Sequence, residues 1–202
     1  MSSVAVLGAG AWGTALAIQA ARAGGAATLW ARDPARARAI DASRQNLRLP
    51  GTLLPHSVTV TDAFPGTADI FLLAVPVQQL RVVAACLPSA CSLVCCAKGI
   101  EAGTLRLPLE ILAELRPSAR TAILTGPNFA GEIAAGKPAA TVVATADAAF
   151  RAELAAVLGT PSFRIYGNDD PIGAQLGGAA KNVIAIAAGA VIGAGLGENA
   201  RA

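Results

Sequence analysis

A single lysine interrupts a long apolar stretch of this 202-residue chain. Residues 175–197, QLGGAAKNVIAIAAGAVIGAGLG, carry Lys181 as their one charge. Three interpretations compete: a broken membrane span, a core helix whose lysine reaches out to solvent, and an amine held beside a reacting group. A lysine that is partly desolvated on an apolar helix face has a lowered pKa and can donate and accept a proton. Lys181 is therefore a candidate catalytic residue.

A glycine-rich segment close to the start predicts a site for an anion. In LGAGAWGTALA, residues 7–17, Gly8, Gly10 and Gly13 follow a predicted strand and open a predicted helix. In this context the first glycine permits a tight turn, the second lets the backbone approach a pyrophosphate, and the third lets helix and strand pack closely. Because a helix N-terminus also favours negative charge, the segment predicts a dinucleotide site.

The end of the second predicted strand bears on which dinucleotide binds. That position reads Trp30, Ala31, Arg32, where sites selective for NAD usually carry an acidic residue. Arg32 could pair with a 2'-phosphate, whereas Asp33 is explained as the N-cap of a helix that starts at Pro34. We therefore expect NADP (NADPH) in preference to NAD. A solvated loop charge is the alternative interpretation of Arg32.

Two further segments follow predicted strands and carry polar groups, CCAKGIE (95–101) and LTGPNFAGEIAAGKP (124–138). Ligands of open parallel sheets bind beyond the carboxyl ends of the strands, so Lys98 would point its amine into that cleft. The turn at Gly126 and Asn128 would present backbone amides and a carboxamide there. Taken singly, each segment also suits an ordinary loop.

The elements that must position these residues alternate between short apolar runs and helical stretches, which is typical of a parallel α/β sheet buried on both faces. We predict strands at 2–7, 27–31, 57–60, 69–75, 92–97, 121–126, 139–144 and 162–166. We predict helices at 12–23, 34–46, 77–86, 104–115, 129–135 and 147–158, and a long one from about 170 into the 190s. The fold class is α/β: a Rossmann-type, doubly wound, mostly parallel sheet, followed by the first helix of an all-helical second domain.

The alternation stops after Tyr166, and this sets the expected domain boundary. Residues 1–168 would form the NAD(P)-binding Rossmann domain, and 169–202 would start a helical substrate domain. The chain stops at GENARA without a terminating pattern, so we expect the second domain to be truncated.

Composition argues against several other classes of protein. Hydrophobic residues make up 54% of the chain and charged residues 14%, but 48 alanines inflate the hydropathy. Lys181 and Asn182 break the apolar stretch 175–197 into shorter pieces, which disfavours a membrane span. Residues 1–21 lack the basic start of a signal peptide, so a cytoplasmic location is expected. A net charge of +3 without a basic block favours a small anionic molecule over nucleic acid.

The four cysteines do not suggest a metal site. They occur at 86, 91, 95 and 96 without C-x-x-C spacing, and His56 is the single histidine. We predict that they are buried, reduced thiols and that the protein binds no metal.

Five motifs in order resemble those of the bacterial-type NAD(P)-dependent glycerol-3-phosphate dehydrogenases. They read GAGAWGTALA (8–17), AVP (74–76), KGIE (98–101), TGPNFAGE (125–132) and GAAKNVIAIAAG (178–189). The resemblance implies reduction of dihydroxyacetone phosphate with NADH or NADPH to sn-glycerol 3-phosphate, a precursor of phospholipids. Its cofactor contacts would fall on Ala11, Trp12, Arg32, Arg48, Lys98 and Ala130. Its substrate contacts would fall on Lys98, Gly126, Asn128 and Lys181, with Lys181 as the catalytic lysine.

The sequence also departs from that family. Thr125 replaces a usual serine, and Val191, Ile192 and Gly193 stand where an acidic residue is common. The family's phosphate-binding helical domain lies beyond residue 202, so we expect this chain alone to lack a complete active site. Two alternatives remain: another Rossmann dehydrogenase that acts on a 3-hydroxy or keto acid, and a catalytically incomplete dinucleotide-binding fragment. The assembly state is open, with a homodimer as one option.

Overall fold

An eight-stranded sheet forms the centre of the computed structural model, which describes residues 2–201. The strands are β1 Ser3–Leu7, β2 Ala26–Trp30, β3 Val58–Thr61, β4 Ile70–Leu73, β5 Ser92–Cys95, β6 Arg120–Thr125, β7 Ala139–Ala144 and β8 Phe163–Asn168. Their order across the sheet is β3-β2-β1-β4-β5-β6-β7-β8. All neighbouring strands are parallel except β6 and β7, which run antiparallel. The first six strands follow the Rossmann order, which confirms the predicted fold class.

Helices connect the strands and cover the sheet. They are α1 Ala11–Arg22, α2 Pro34–Ser43, α3 Val77–Ala84, α4 Pro108–Leu115, α5 Ala130–Ala134, α6 Ala148–Leu158, α7 Pro171–Gly193 and α8 Glu198–Arg201. Each predicted strand and helix is present. The largest shift in a boundary is at α4, which begins at Pro108 and not at 104. Leu105 has a φ of 59°, a left-handed conformation that cannot continue a helix, and Pro108 then supplies the first turn.

The core consists of two layers, one on each face of the sheet. Leu16 of α1 and Phe150 of α6 pack in one layer with Val6 of β1. Leu80 of α3 and Ile111 of α4 pack in the other layer with the next strand residue, Leu7. Successive strand residues face opposite sides, so a doubly wound sheet needs strands that are apolar on both faces.

Helix α2 begins at the N-cap that the sequence predicts. The Asp33 side chain accepts hydrogen bonds from Ala35 N at 2.9 Å and Arg36 N at 3.3 Å. The predicted N-cap is therefore confirmed, and the Asp33 carboxylate is engaged at the helix start.

Helix α7 has the length and composition of a membrane span, with a mean hydropathy of 1.5 over its most apolar window. Much of it is exposed in the described chain: Val183 is 68% exposed and Ile186 is 74% exposed. It touches the sheet through its first two turns, where Gln175 is buried.

The prediction of four buried thiols is partly wrong. Cys95 and Cys96 are buried, and burial raises the pKa of Cys95 to about 12. Cys91 is half-buried and Cys86 is exposed. Cys86 follows the end of α3, where periodicity does not determine which side faces solvent. Among residues 2–201 no three His, Cys, Asp or Glu side chains group as metal ligands.

Candidate active site

A cavity of about 740 Å3 opens beyond the carboxyl ends of β1, β2 and β4. This is the point where the strand order reverses, and open α/β sheets bind ligands there. Its volume lies within the range of small-molecule sites. Seven of the residues predicted from sequence line it: Gly8, Gly10, Ala11, Trp12, Arg32, Arg48 and Lys98.

The glycine turn forms one wall, and each glycine has a distinct steric role. Gly8 has a φ of 116°, and a Cβ there would lie 2.7 Å from Ala74 O. A Cβ on Gly13 would lie 1.9 Å from Gly8 O, so this position supports the turn from behind without lining the cavity. A Cβ on Gly10 would meet nothing within 4 Å, because this residue faces open space.

The start of α1 leaves backbone donors beside that open space. The first intrahelical bond runs from Thr14 N to Gly10 O at 3.0 Å. The amides of Ala11, Trp12 and Gly13 precede this bond and have no acceptor within the helix. With the positive end of the helix dipole, they can hold a phosphate group.

Basic side chains line the far side of the cavity. Arg32 and Arg48 were predicted, and Arg36 joins them from the first turn of α2. Arg32 reaches Gln79 Oε1 at 3.4 Å. Burial, followed by the charge of Arg48, lowers the pKa of Arg36. Sequence reasoning missed Arg36, because nothing in the local sequence distinguishes it from the other arginine of α2.

A second group of polar residues adjoins the cavity. The Lys98 ammonium donates to Gly126 O at 3.3 Å. Burial and then the charge of Lys181 lower the pKa of Lys98, while Cys96 opposes the shift. Lys98 therefore lies within the field of Lys181, and it also lines the cavity. The structure brings Lys98, Lys181 and Gly126 together from the loop after β5, from α7 and from the end of β6.

Asn128 completes this polar group. Its Nδ2 atom is buried, and among the described residues it has no hydrogen-bond partner. A Cβ on Gly126 would lie 2.9 Å from that nitrogen, so glycine is required beside it. A buried amide donor without a partner is costly, and it is often explained by a ligand. An oxygen of a bound molecule would satisfy Asn128 Nδ2.

Close packing of α7 against the sheet brings Lys181 to this position. Gln175 Oε1 accepts a hydrogen bond from Leu109 N at 2.8 Å, and its Nε2 donates to Pro171 O at 2.8 Å. A Cβ on Gly178 would lie 3.1 Å from Thr125 Oγ1, which shows how closely the helix approaches. Lys181 is one turn further along.

Two expectations about site residues differ from the structure. Lys181 is exposed in the described chain, so the partial desolvation predicted for it on an apolar helix face is wrong here. The reason is tertiary: the second half of α7 has little packed against it. Ala130 opens α5 and packs against the core that contains α1, and it does not line the cavity.

Comparisons with known proteins agree with this geometry. Residues 3–151 match the family described as NAD-dependent glycerol-3-phosphate dehydrogenase N-terminus, and residues 170–202 match the corresponding C-terminus. The chain is 53% identical to NAD(P)+-dependent glycerol-3-phosphate dehydrogenase of Gluconobacter oxydans over 98% of its own length and 61% of the relative. For the enzyme of Acidiphilium cryptum the values are 57%, 98% and 62%.

The fold of this chain is also similar to that of a solved structure. The crystal structure of glycerol-3-phosphate dehydrogenase from Coxiella burnetii superposes with a TM-score of 0.90 at 33% identity, over 99% of this chain and 64% of that one. The chain thus spans somewhat under two thirds of the length of the relatives that it matches.

Proposed function

Since the chain belongs to the NAD-dependent glycerol-3-phosphate dehydrogenase family, we propose that it carries the dinucleotide-binding part of an enzyme that reduces dihydroxyacetone phosphate to sn-glycerol 3-phosphate with NAD(P)H. The product would feed glycerophospholipid synthesis. The observation that carries the proposal is the position of Lys98, which lines the cavity and also packs against α7 one turn before Lys181, where a Cβ on Gly178 would lie 3.8 Å from Lys98 Cγ. A dinucleotide site and a cationic polar site are thereby contiguous.

The cavity residues fit a nicotinamide dinucleotide. The free amides at the start of α1 would hold the pyrophosphate, and the open space at Gly10 would let it approach the backbone. Trp12 and Ala11 would contact the dinucleotide beside the turn. Arg32 and Arg48 would lie beside the adenosine ribose. Positive charge at that place would favour NADPH, which carries a 2'-phosphate, over NADH.

The second group of residues fits a phosphorylated ketone. Two lysines side by side favour an anion, and the unpartnered Asn128 amide would donate to a substrate oxygen. Lys98 and the Gly126 turn would hold the substrate beside the cavity mouth.

Lys181 would act on the reacting carbonyl. The bound nicotinamide supplies the hydride to the carbonyl carbon. As charge develops on the carbonyl oxygen, the Lys181 ammonium would stabilise it and transfer a proton to it. In the reverse direction the neutral amine would accept that proton. The packing of Gly178 and Gln175 would set the position of the amine.

The domain assignment follows from the same arrangement. We propose residues 1–168 as the NAD(P)-binding domain and 169–202 as the start of a helical substrate domain. The support is that α7 carries Lys181 to the sheet while the rest of its apolar surface is exposed. The polar pair Lys181 and Asn182 within α7 supports this assignment over a membrane span, and the four free thiols support a cytoplasmic location.

Binding is tested first, with the chain itself. Trp12 and Trp30 are its two tryptophans, and both line the cavity. Titration with NADPH and NADH should quench their fluorescence saturably, more strongly for NADPH, and Trp30→Phe would leave Trp12 as the sole reporter. Arg32→Ala should weaken NADPH more than NADH. Equal losses would contradict a 2'-phosphate contact, and no quenching of folded protein would contradict the dinucleotide site.

Turnover is tested with a fusion. Residues 1–202 joined to the uncovered C-terminal part of the Gluconobacter oxydans relative should reduce dihydroxyacetone phosphate with NADPH. Lys181→Ala in that fusion should lower kcat by roughly a hundredfold to ten-thousandfold, the usual effect of losing a general acid. Near-normal turnover would contradict the role of Lys181. Reduction of an unphosphorylated keto acid in place of dihydroxyacetone phosphate would favour another Rossmann dehydrogenase, and binding without any turnover would favour a binding fragment.

A further inference from the structure

A buried asparagine links the glycine turn of the cavity with its basic residues. Asn46 lies in the loop after α2 and is 2% exposed. Its Nδ2 donates to Ala9 O at 3.0 Å and to Thr14 Oγ1 at 2.7 Å. Its Oδ1 accepts from Arg36 Nη2 at 3.2 Å and from Arg48 N at 3.1 Å. An amide side chain offers two donor hydrogens and one oxygen with two lone pairs, so all its hydrogen-bonding capacity is used.

The bonds to the glycine turn fix the direction of backbone amides. The carbonyl and N–H of a trans peptide point in opposite directions. Asn46 and the Arg36 guanidinium both hold Ala9 O, which turns Gly10 N–H the other way. Thr14 Oγ1, itself held by Asn46, donates to Gly10 O at 2.8 Å and turns the Ala11 N–H away in the same manner. Gly10 and Ala11 both line the cavity.

The bonds on the other side hold the basic wall. Arg36 and Arg48 line the cavity, and Asn46 Oδ1 binds the side chain of one and the backbone of the other. The positive charges of Arg36 and Arg48 repel each other, and their hydrogen bonds to Asn46 Oδ1 hold both residues in place. The nearby Asp33 carboxylate also caps α2, so the three arginines of this wall retain an excess of positive charge. An anion on the ligand would balance that excess.

We propose that Asn46 is a positioning residue for the dinucleotide, which aligns the Gly10 and Ala11 amides for the pyrophosphate and holds Arg36 beside Arg48 for the 2'-phosphate. The inference rests on the proposed function, because it requires that the cavity bind a dinucleotide. It adds two residues, Asn46 and Arg36, to those predicted from sequence. Asn46 would act through the turn and the arginines, without touching the ligand.

The test compares affinities of the 202-residue chain and its variants for NADPH and NADH, by tryptophan fluorescence. Asn46→Ala should raise both dissociation constants by about tenfold, which equals about 1.4 kcal/mol. Arg36→Ala should raise the constant for NADPH by about tenfold and that for NADH by less than about threefold. Leu47→Ala, at a residue 97% exposed beside Asn46, is the control for the first variant. Arg38→Ala, at an exposed position of α2, is the control for the second.

A third variant separates the donor role of the Asn46 side chain from its acceptor role. Asn46→Asp keeps acceptor oxygens for Arg36 and Arg48 N but removes the donors to Ala9 O and Thr14 Oγ1. It should weaken NADH about as much as Asn46→Ala does, and it should weaken NADPH further, because its carboxylate offsets part of the positive charge of Arg36 and Arg48. A merely structural asparagine would lower the melting temperature of all Asn46 variants without changing the affinities of the folded protein, and that result would overturn the inference.

Three further outcomes are decisive. If Asn46→Ala does not fold, Thr14→Val removes one partner of Asn46 with little change in shape, and it should raise both constants; unchanged constants would overturn the inference. If the unaltered chain binds both dinucleotides and Asn46→Ala binds them equally well, the inference is wrong and the proposed function stands. If the unaltered chain binds neither, both are contradicted.

Discussion

Lys98 and Lys181 lie within electrostatic reach of each other: after burial, the charge of Lys181 is the largest influence that lowers the pKa of Lys98. The Lys98 ammonium remains 3.3 Å from Gly126 O. An anion bound beside Lys98 would offset this effect of the neighbouring positive charge. The pair is thus suited to an anion.

Removal of Lys181 should raise the pKa of Lys98. In Lys181→Met the neighbouring positive charge is lost, so the pKa of Lys98 should move toward the ordinary lysine value while burial still holds it below. The chain has three lysines, so NMR titration of isotopically methylated lysines between about pH 8 and 12 can resolve each one. Lys137→Met, at a lysine that lies 3.6 Å from Glu132, is the control. An unchanged pKa of Lys98 in Lys181→Met would show that the two amines do not interact.

Gly10 and Gly13 should respond differently to the same substitution. Gly10→Ala places its methyl in open space, so we expect nearly unchanged stability but a dissociation constant for NADPH that is at least about tenfold higher. Gly13→Ala drives its methyl into Gly8 O and should lower the free energy of unfolding by about 3 kcal/mol or more.

Urea denaturation and fluorescence titration measure the two effects. Gly66→Ala, in a loop where a Cβ meets nothing within 4 Å, is the matched control. If Gly10→Ala binds NADPH normally, the ligand does not approach the backbone at this turn.

Acid should remove the contribution of Glu101 to stability. Arg81 donates to both carboxylate oxygens of Glu101, at 3.0 and 2.9 Å, and Thr104 donates at 2.5 Å. These bonds lower the pKa of Glu101 from 4.5 to about 2. Because the carboxylate is favoured by folding, its contribution is complete above about pH 4.5 and is lost as the pH falls toward 2.

Glu101→Gln tests that dependence. The variant should be less stable than the unaltered chain at pH 7, and the difference should shrink as the pH falls from 4.5 to 2, in urea denaturation at several pH values. Glu153→Gln, at a surface pair with Arg120 at 2.8 Å, should show a smaller difference throughout. A difference independent of pH would mean that the charge of Glu101 does not stabilise the fold.

Local signals predicted most of the architecture and the glycine turn. Short runs that are apolar on both faces of a strand identified β1, β4 and β5. Asp33 followed by Pro34 identified the start of α2. These features depend on neighbours in sequence. Asn46 carried no such signal, because a single asparagine in a loop has the same appearance whether it is buried among four partners or solvated.

The exposure of Lys181 shows a second limit of prediction from sequence, which concerns burial. The composition of α7 predicted a helix correctly, but burial depends on what packs against each face, and periodicity alone does not contain that information. Cys86 departs from its prediction for the same reason.

The amino-acid sequence by itself determined the order of the elements, the glycine turn and most of the candidate site residues. These follow from backbone preferences and side-chain types, which act over a few residues. The tertiary structure alone decided which of them meet: Asn46 with Ala9, and Lys98 with Lys181 across 83 positions. Such encounters depend on how the strands pair and how α7 packs on the sheet. Hydrogen bonds and charges act over a few ångströms in space, regardless of distance along the chain.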